Sequence, residues 1–228
     1  MSSGRSRTLE SVRQGILHGD WFPGQRLQPM DLAKRFETST TVIREALSLL
    51  VGDGLVVARP NQGFFVPDLN LRELRDITEL RCRTEELGAQ LAAERGDLDW
   101  EAELTGAHHR LVRIPRRLAE DPARINPEWS LAHHAFHQTI IAGSGSQQIV
   151  QVAANLSYAT VLYRCWAAPH TGAAGRDVEA EHRALLEAAL AHDGPKLGAL
   201  LRAHYEATLD VVLEAGLGLP PEKYSGLK

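Results

Sequence analysis

The sequence predicts a mainly α-helical fold in two parts: a small amino-terminal unit of three helices and a β-hairpin, then a larger bundle of helices alone. Three observations lead to this fold class. Apolar residues recur at helical spacing through most of the 228 residues. Strand patterns are confined to residues 55–66, where a tight turn separates two apolar runs. From Leu71 onward strand patterns vanish, which indicates an all-α body.

The amino-terminal unit is built, in order, from three short helices and the hairpin. The third helix follows a hydroxyl-rich run at residues 38–41 that suits a helix start. Residues 55–58 and 64–66 flank a tight loop at 59–63 and predict two strands. The apolar positions are Leu9, Val12, Ile16 and Leu17 in the first helix, Leu32, Ala33 and Phe36 in the second, and Val42, Ile43, Ala46, Leu47 and Leu50 in the third. This order of elements predicts a winged helix-turn-helix.

The third helix of such a unit enters the major groove of double-stranded DNA with its amino-terminal end first. Ser39, Thr40, Thr41 and Arg44 stand at that end. Hydroxyl groups hold phosphates, whereas a forked guanidinium can read guanine O6 and N7. A simple helix cap and a solvated arginine would also explain these residues, but the order of the elements favours contact with operator DNA.

The carboxy-terminal part is predicted to contain six or seven helices. Their expected spans are about 71–95, 98–120, 127–143, 147–166, 178–192 and 195–215, with a loop at 169–175. Residues 67–70 are the expected joint. The predicted domains are residues 1–68 (the head), residues 69–216 (the body) and a loose tail at 217–228.

Four histidines lie on apolar faces of three predicted body helices. His133 and His137 stand four apart on one helix, His182 lies on the penultimate helix, and His204 lies on the last. Imidazoles that converge in a bundle core suit zinc, nickel or copper better than calcium or magnesium. A hydrogen-bonded core histidine is the simpler explanation for each residue alone. Four others are expected at the surface: His108, His109, His170 and His192.

Composition and charge exclude several classes of protein. Hydrophobic residues make up 43% of the chain and charged residues 24%, as in ordinary globular proteins. No apolar run reaches the roughly 18 residues of a membrane helix, so no membrane partner is expected. The widely separated Cys82 and Cys165 and the lack of an apolar leader favour free thiols in the cytoplasm, with the protein at the nucleoid. The net charge of −4 is uneven, since the head carries eight basic and seven acidic side chains.

A metal-dependent helical-bundle enzyme is the main competing class. Bundle enzymes of the di-iron kind need several inward carboxylates with Glu-x-x-His spacing. The chain has no HExxH motif, Gly-rich phosphate loop or nucleophile elbow, and an enzyme would leave the head unexplained. An architectural DNA-binding protein without an effector is disfavoured by the small positive charge of the head. No catalytic residue is therefore predicted.

The head resembles the GntR family of bacterial transcription regulators. The strings PGQRL, DLAKRF, STTVIREALSLLVGDGLV and RPNQGFFV follow that family's pattern in order and spacing over residues 9–67. The resemblance implies that Ser39 and Thr41 hold phosphates, Arg44 reads a base, and Gly63 lets the wing approach the minor groove. Thr40 stands where many relatives carry arginine, so we expect modest non-specific affinity for DNA.

The body resembles the FCD effector domain of the FadR-type subfamily over residues of about 71–212. The matching residues are Phe136-His137, Glu181-His182 and His204, together with Arg81 and Glu85 on the first bundle helix. The resemblance implies a divalent transition metal, zinc or nickel, and a small organic acid held by the metal and by Arg81. Arg81 suits this role because a guanidinium pairs with a carboxylate in a bidentate manner.

His133 departs from that pattern, because metal-binding members carry aspartate at its position. Ligation through a ring nitrogen would leave the ion with its full double charge. Such a site would hold an anionic effector more firmly or prefer a nitrogen-binding metal. Two alternatives stay open: a metal-free pocket in which His133 donates to the ligand, and ligation by His134, which we expect to point away.

Together these features predict a ligand-responsive transcription regulator. The body is expected to form a homodimer and so to set the separation of two heads over a two-fold-related operator. Binding of a small carboxylate would favour one packing of helices and change that separation.

Overall fold

A computed structural model of the chain describes residues 2–17, 19–122, 124–167 and 176–215. Within these residues the chain forms nine helices and three short strands, so the predicted mainly α-helical fold class is confirmed. The loop expected at 169–175 and the tail expected at 217–228 lie outside the described residues. The elements are α1 (Ser2–Leu17), β1 (Arg26–Leu27), α2 (Pro29–Arg35), α3 (Thr40–Gly52), β2 (Val57–Arg59), β3 (Gly63–Phe65), α4 (Leu71–Arg95), α5 (Leu98–Arg113), α6 (Pro127–Ala142), α7 (Gln147–Ala167), α8 (Val178–Leu190) and α9 (Gly194–Ala215).

The head consists of α1–α3 and an antiparallel sheet around one apolar core. Val12 of α1 and Leu47 of α3 are fully buried in this core. The strand order is β1-β3-β2, and Phe64 and Phe65 of β3 each pair with both neighbouring strands. The β2–β3 hairpin was expected, but β1 was not. Two residues are too few to show the alternation of buried and exposed side chains that marks a strand.

The body is a bundle of α4–α9. α4 packs along α7 and α9, while α5 packs along α6 and α8. Leu104, Phe136 and Leu185 are fully buried at the centre of the apolar core. In the described part of the chain, no helix has the length and apolar character that a membrane crossing requires.

Aspartate and asparagine side chains fix where four of the bundle helices begin. Asn70, Asp97, Asn126 and Asp177 each precede a helix and accept hydrogen bonds from backbone N–H groups of its first turn. Such caps satisfy donors that the helix itself leaves unpaired. Pro127 follows its cap at the first helical position, where its missing N–H costs nothing.

α5 ends at Arg113, well before the predicted end near residue 120. Ile114 has an extended backbone because it precedes Pro115, and the residue before a proline is disfavoured in the helical conformation. Residues 114–122 and 124–126 are irregular instead, and an antiparallel bridge joins Arg117 to Ile125.

α7 packs into both parts of the molecule. Val161 and Leu162 lie in the apolar core of the head, whereas Ala153 lies in the core of the body. The Tyr163 hydroxyl is 3.1 Å from both the backbone N and the backbone O of Asn70, which ties the expected joint at 67–70 to the same helix. The predicted boundary at residue 68 falls in this connection between β3 and α4.

Candidate functional site

The structure brings His133, His137, His182 and His204 together in the core of the body. α6 presents two of them one turn apart, and α8 and α9 present one each. Each residue offers one ring nitrogen, and these four atoms lie within 4.8 Å of one another. All four side chains are buried.

Hydrogen bonds to neighbouring residues orient two of the rings. The Nδ1 atom of His204 is 2.7 Å from Glu181 Oε2. The Nδ1 atom of His137 is 3.0 Å from the Tyr205 hydroxyl, which itself donates to Glu85. With Nδ1 engaged in both rings, the Nε2 atoms are the ones left to bind a ligand, an arrangement typical of metal-binding histidines.

Two buried ring nitrogens of the cluster have no partner in the described part of the chain. Among the described residues, no hydrogen-bond partner is found for the Nε2 atoms of His137 and His182. Leaving a buried polar atom unpaired destabilises the folded state by about 1–3 kcal/mol. A ligand that binds these nitrogens would remove that unfavourable term. A set of four nitrogen donors fits zinc, nickel or copper.

Burial keeps the cluster in the neutral form that metal coordination requires. It lowers the pKa of His133 and His137 well below the usual range, that of His182 to about 2, and that of His204 to about 4. Glu181 stays ionised. Burial alone would raise the pKa of Glu181, but hydrogen bonds from His204 and Arg176 outweigh that effect and lower it to about 2.

A cavity of about 490 Å³, including its open mouth, lies beside the cluster. Trp129 and His133 form part of its wall, and their rings stack at 4.6 Å between centroids. Arg164 Nη1 is 3.2 Å from His133 Nδ1. Burial and the nearby Arg81 lower the pKa of Arg164 to about 10, so its guanidinium stays charged at neutral pH. Four arginines line this cavity: Arg116, Arg117, Arg164 and Arg176.

Sequence reasoning missed these arginines. An arginine in an irregular segment has no spacing signature, which is the case for Arg116 and Arg117. Arg164 did carry a usable signal, since it interrupts the apolar run 161–166 of α7. A charge within such a run indicates a buried site.

Arg81 lies beside a second cavity, of about 370 Å³ including its mouth, which shares Arg164 and His204 with the first. Its Nε donates to Glu85 at 2.6 Å, and its Nη1 donates to Thr160 at 2.9 Å. A ligand contact by Arg81 therefore has to share the guanidinium with Glu85.

The remaining histidines lie apart from the cluster. His134 points toward α7, where its Nδ1 is 3.1 Å from Ser157 Oγ and its ring stacks on Tyr158. His192 is exposed and bonds Glu101. The ring of His108 packs on Phe136, and its Nε2 is buried, so this residue is more enclosed than expected. His109 is exposed, and His170 lies outside the described residues.

The expected DNA-reading residues form one exposed surface at the start of α3. Ser39 is the N-cap, and its Oγ accepts from the Val42 backbone N–H. Thr40, Thr41 and Arg44 follow on the exposed face of the first turns. Gly63 begins β3 with a φ of +98°, a value that a side chain would strain.

Comparison with known families adds a second line of evidence. Residues 5–66 match the family described as "Bacterial regulatory proteins, gntR family", and residues 76–207 match the FCD domain. The chain belongs to the GntR family and carries an FCD domain.

Relatives of this GntR-family chain are transcriptional regulators. The regulator BphR of Paraburkholderia xenovorans is 34% identical over 92% of this chain and 85% of its own length. The repressor GlaR of Escherichia coli is 30% identical over 91% of this chain and 94% of its own length. The solved structure of McbR/YncC of E. coli has the same fold, with a TM-score of 0.72, 22% identity, and coverage of 94% of this chain and 99% of that one.

Family membership decides between the competing classes. A GntR-family chain with an FCD domain is a DNA-binding transcriptional regulator, so the prediction of a regulator is confirmed and the bundle enzyme is set aside.

Proposed function

We propose that the body of this regulator binds a small carboxylate through a divalent metal held by four histidines. We further propose that this binding controls the affinity of a dimer for operator DNA. The observation that carries the proposal is the convergence of four buried, neutral imidazoles beside an arginine-lined cavity. A bound zinc or nickel ion would supply an open coordination position for a carboxylate oxygen.

His133, His137, His182 and His204 would hold the ion. With only neutral ligands, the ion keeps its full double charge, which favours an anionic effector. Glu181 and Tyr205 would hold two of the rings in the orientation that ligation needs.

Metal analysis of protein purified without an immobilised-metal column tests this site. We expect about one equivalent per chain, and less than about half an equivalent would contradict the proposal. The His182→Gln variant is expected to lose the metal, whereas His192→Gln, which alters an exposed histidine, should retain it.

A metal-free pocket is the second candidate. The contact between Arg164 Nη1 and His133 Nδ1 favours it, because a cation already stands beside the cluster. Calorimetric titration with organic acids before and after chelator treatment separates the two. Binding that survives metal removal supports the metal-free pocket, and binding that is lost supports the ion.

For the head, we infer that Ser39 and Thr41 contact phosphates, Arg44 reads a base, and Thr40 and Gly63 border the contact. Arg44→Ala is expected to weaken binding to an operator selected from random duplexes by about 1–3 kcal/mol, as expected for loss of a bidentate base contact. Arg110→Ala, on an exposed position of α5, is the control. Unchanged affinity of the Arg44 variant would contradict base reading.

We infer that the homodimer forms through the outer face of α4. Leu80 and Leu87 are 53% and 50% exposed and stand seven apart, so they share one face of the helix. A second copy of the chain would cover both. Leu87→Lys is expected to yield monomers in light scattering, whereas Leu98→Lys, at a residue 79% exposed on α5, should leave the dimer intact.

A further inference from the structure

The cavity beside the histidines holds more positive charge than the described residues neutralise. Arg176 is paired with Glu181 through two hydrogen bonds of 2.7 Å. Among the residues that the structure describes, neither Arg116 nor Arg164 forms an ion pair with a carboxylate, and the charge of Glu181, which acts on Arg116, is already paired with Arg176. The adjoining segment 168–175, which is not described, contains no aspartate or glutamate in its sequence.

Both guanidinium groups are built into the wall. The Nε atoms of Arg116 and Arg164 are buried, and neither has a hydrogen-bond partner among the described residues. Arg116 lies over the Trp129 ring at 5.5 Å, on the segment that follows α5. Arg164 lies on α7 and contacts His133. A partly buried charge without an ion-pair partner is costly, so this arrangement favours a ligand that brings negative charge to both groups.

We propose that the effector is a dicarboxylate, with one carboxylate at the histidine cluster and Arg164 and the other on Arg116. This inference rests on the proposed function and narrows its ligand class. A monocarboxylate would leave one guanidinium unpaired, whereas two carboxylates can each form charge-assisted hydrogen bonds with one. Both guanidinium groups are present with or without a metal ion, so the inference does not depend on the ion.

Calorimetric titration of the full chain tests whether the effector carries one carboxylate or two. A series of short α,ω-dicarboxylates is compared with the corresponding monomethyl esters, which keep the carbon skeleton and lose one charge. The dicarboxylate of best length is expected to bind at least about tenfold more tightly than its monoester. Equal affinities would overturn the inference.

Arg116→Gln locates the second carboxylate. We expect this variant to bind the dicarboxylate about tenfold more weakly and to bind the monoester within about twofold of the parent protein. Arg113→Gln, an exposed arginine at the end of α5, is the matched control and should change neither affinity. An equal loss for both ligands in the Arg116 variant would overturn the assignment, provided that its thermal melt matches that of the parent.

Inorganic phosphate distinguishes two separate carboxylates from one doubly charged group. Phosphate is expected to bind more weakly than the best dicarboxylate, and equal or tighter binding would overturn the dicarboxylate class. If neither acids nor monoesters bind, the proposed carboxylate sensor itself fails. If acid and monoester bind equally, the sensor stands and only this inference is lost.

Discussion

The protonation state of the four clustered histidines follows from their burial and makes stability depend on pH. Burial lowers the pKa of His133 and His137 well below the usual range, that of His182 to about 2 and that of His204 to about 4. In the unfolded chain each returns to about 6.5. Below that pH the unfolded state binds more protons than the folded state, so acid favours unfolding. We expect the melting temperature of the metal-free protein to fall between about pH 7.5 and about pH 5.

Two variants check the sign of this effect. His182→Gln removes one group with a lowered pKa, so the melting temperature of this variant should decrease less on acidification. The pKa of His192 is raised by its hydrogen bond to Glu101, so its stabilising contribution is present below about pH 6.5 and is lost as the pH rises. The melting temperature of His192→Gln should therefore decrease more on acidification than that of the parent protein. A melting temperature that is constant over this range would contradict the prediction.

Glu181 is expected to tune metal affinity without touching the metal. Its carboxylate accepts from His204 Nδ1 at 2.7 Å and pairs with Arg176. Glu181→Gln keeps the size and loses the charge, and it should lower metal affinity by about 10–100-fold in competition with a chelating dye. Glu179→Gln is the matched control, because Glu179 is exposed on the same helix. Equal affinities of both variants would remove the positioning role of Glu181.

Helix packing around Trp100 provides a test of the bundle. A Cβ on Gly143 would lie 2.6 Å from the Trp100 ring, whereas a Cβ on Gly106 would have no neighbour within 4 Å. Gly143→Ala is therefore expected to destabilise the protein by about 1–3 kcal/mol in urea unfolding. Gly106→Ala, inside α5, should stabilise it by up to about 1 kcal/mol. If Gly143→Ala leaves the free energy of unfolding unchanged, the Trp100 ring can move away from the added methyl group.

The helices were largely predictable because apolar periodicity and side-chain caps are local signals. Asn70 and Asn126 mark helix starts in the sequence and cap them in the structure. The end of α5 was predicted too late because apolar residues keep a helical spacing as far as Leu118, whereas Pro115 disfavours the helical conformation at Ile114. The histidines were identifiable since each lies on an apolar helix face. Arg116 was not identifiable, because it reaches the cavity from the irregular segment that follows α5, where no spacing pattern applies.

Communication between the two ends of the molecule is expected to pass through α7. Arg13 of α1 donates to the Tyr158 hydroxyl at 2.8 Å and pairs with Asp53, the C-cap of α3, at 2.9 Å. Tyr158 also stacks on His134, which lies on α6 beside two of the clustered histidines. A shift of α6 or α7 on effector binding would therefore reach Asp53 at the carboxy-terminal end of α3, the helix proposed to contact DNA.

Arg13→Gln is expected to uncouple effector binding from DNA binding. The ratio of the DNA affinities measured without and with effector should move several-fold toward one, a change of about 1 kcal/mol in coupling free energy, while effector affinity stays unchanged. Arg75→Gln, an exposed arginine of α4, is the control. Fluorescence anisotropy with labelled operator measures the ratio of DNA affinities for each variant. An Arg13 variant with the same ratio as the parent protein would exclude communication through Arg13 and Tyr158.

The placement of Val161 and Leu162 in the core of the head has a consequence for protein engineering. A truncated fragment ending near residue 68 would leave apolar surface of the head facing water and should be prone to aggregation. Chimeras that join this head to the body of another regulator face the same difficulty, unless the corresponding helix of that body carries similar apolar side chains. Sensory specificity can therefore be exchanged most safely by changing cavity residues, with α7 and its contacts to the head kept intact.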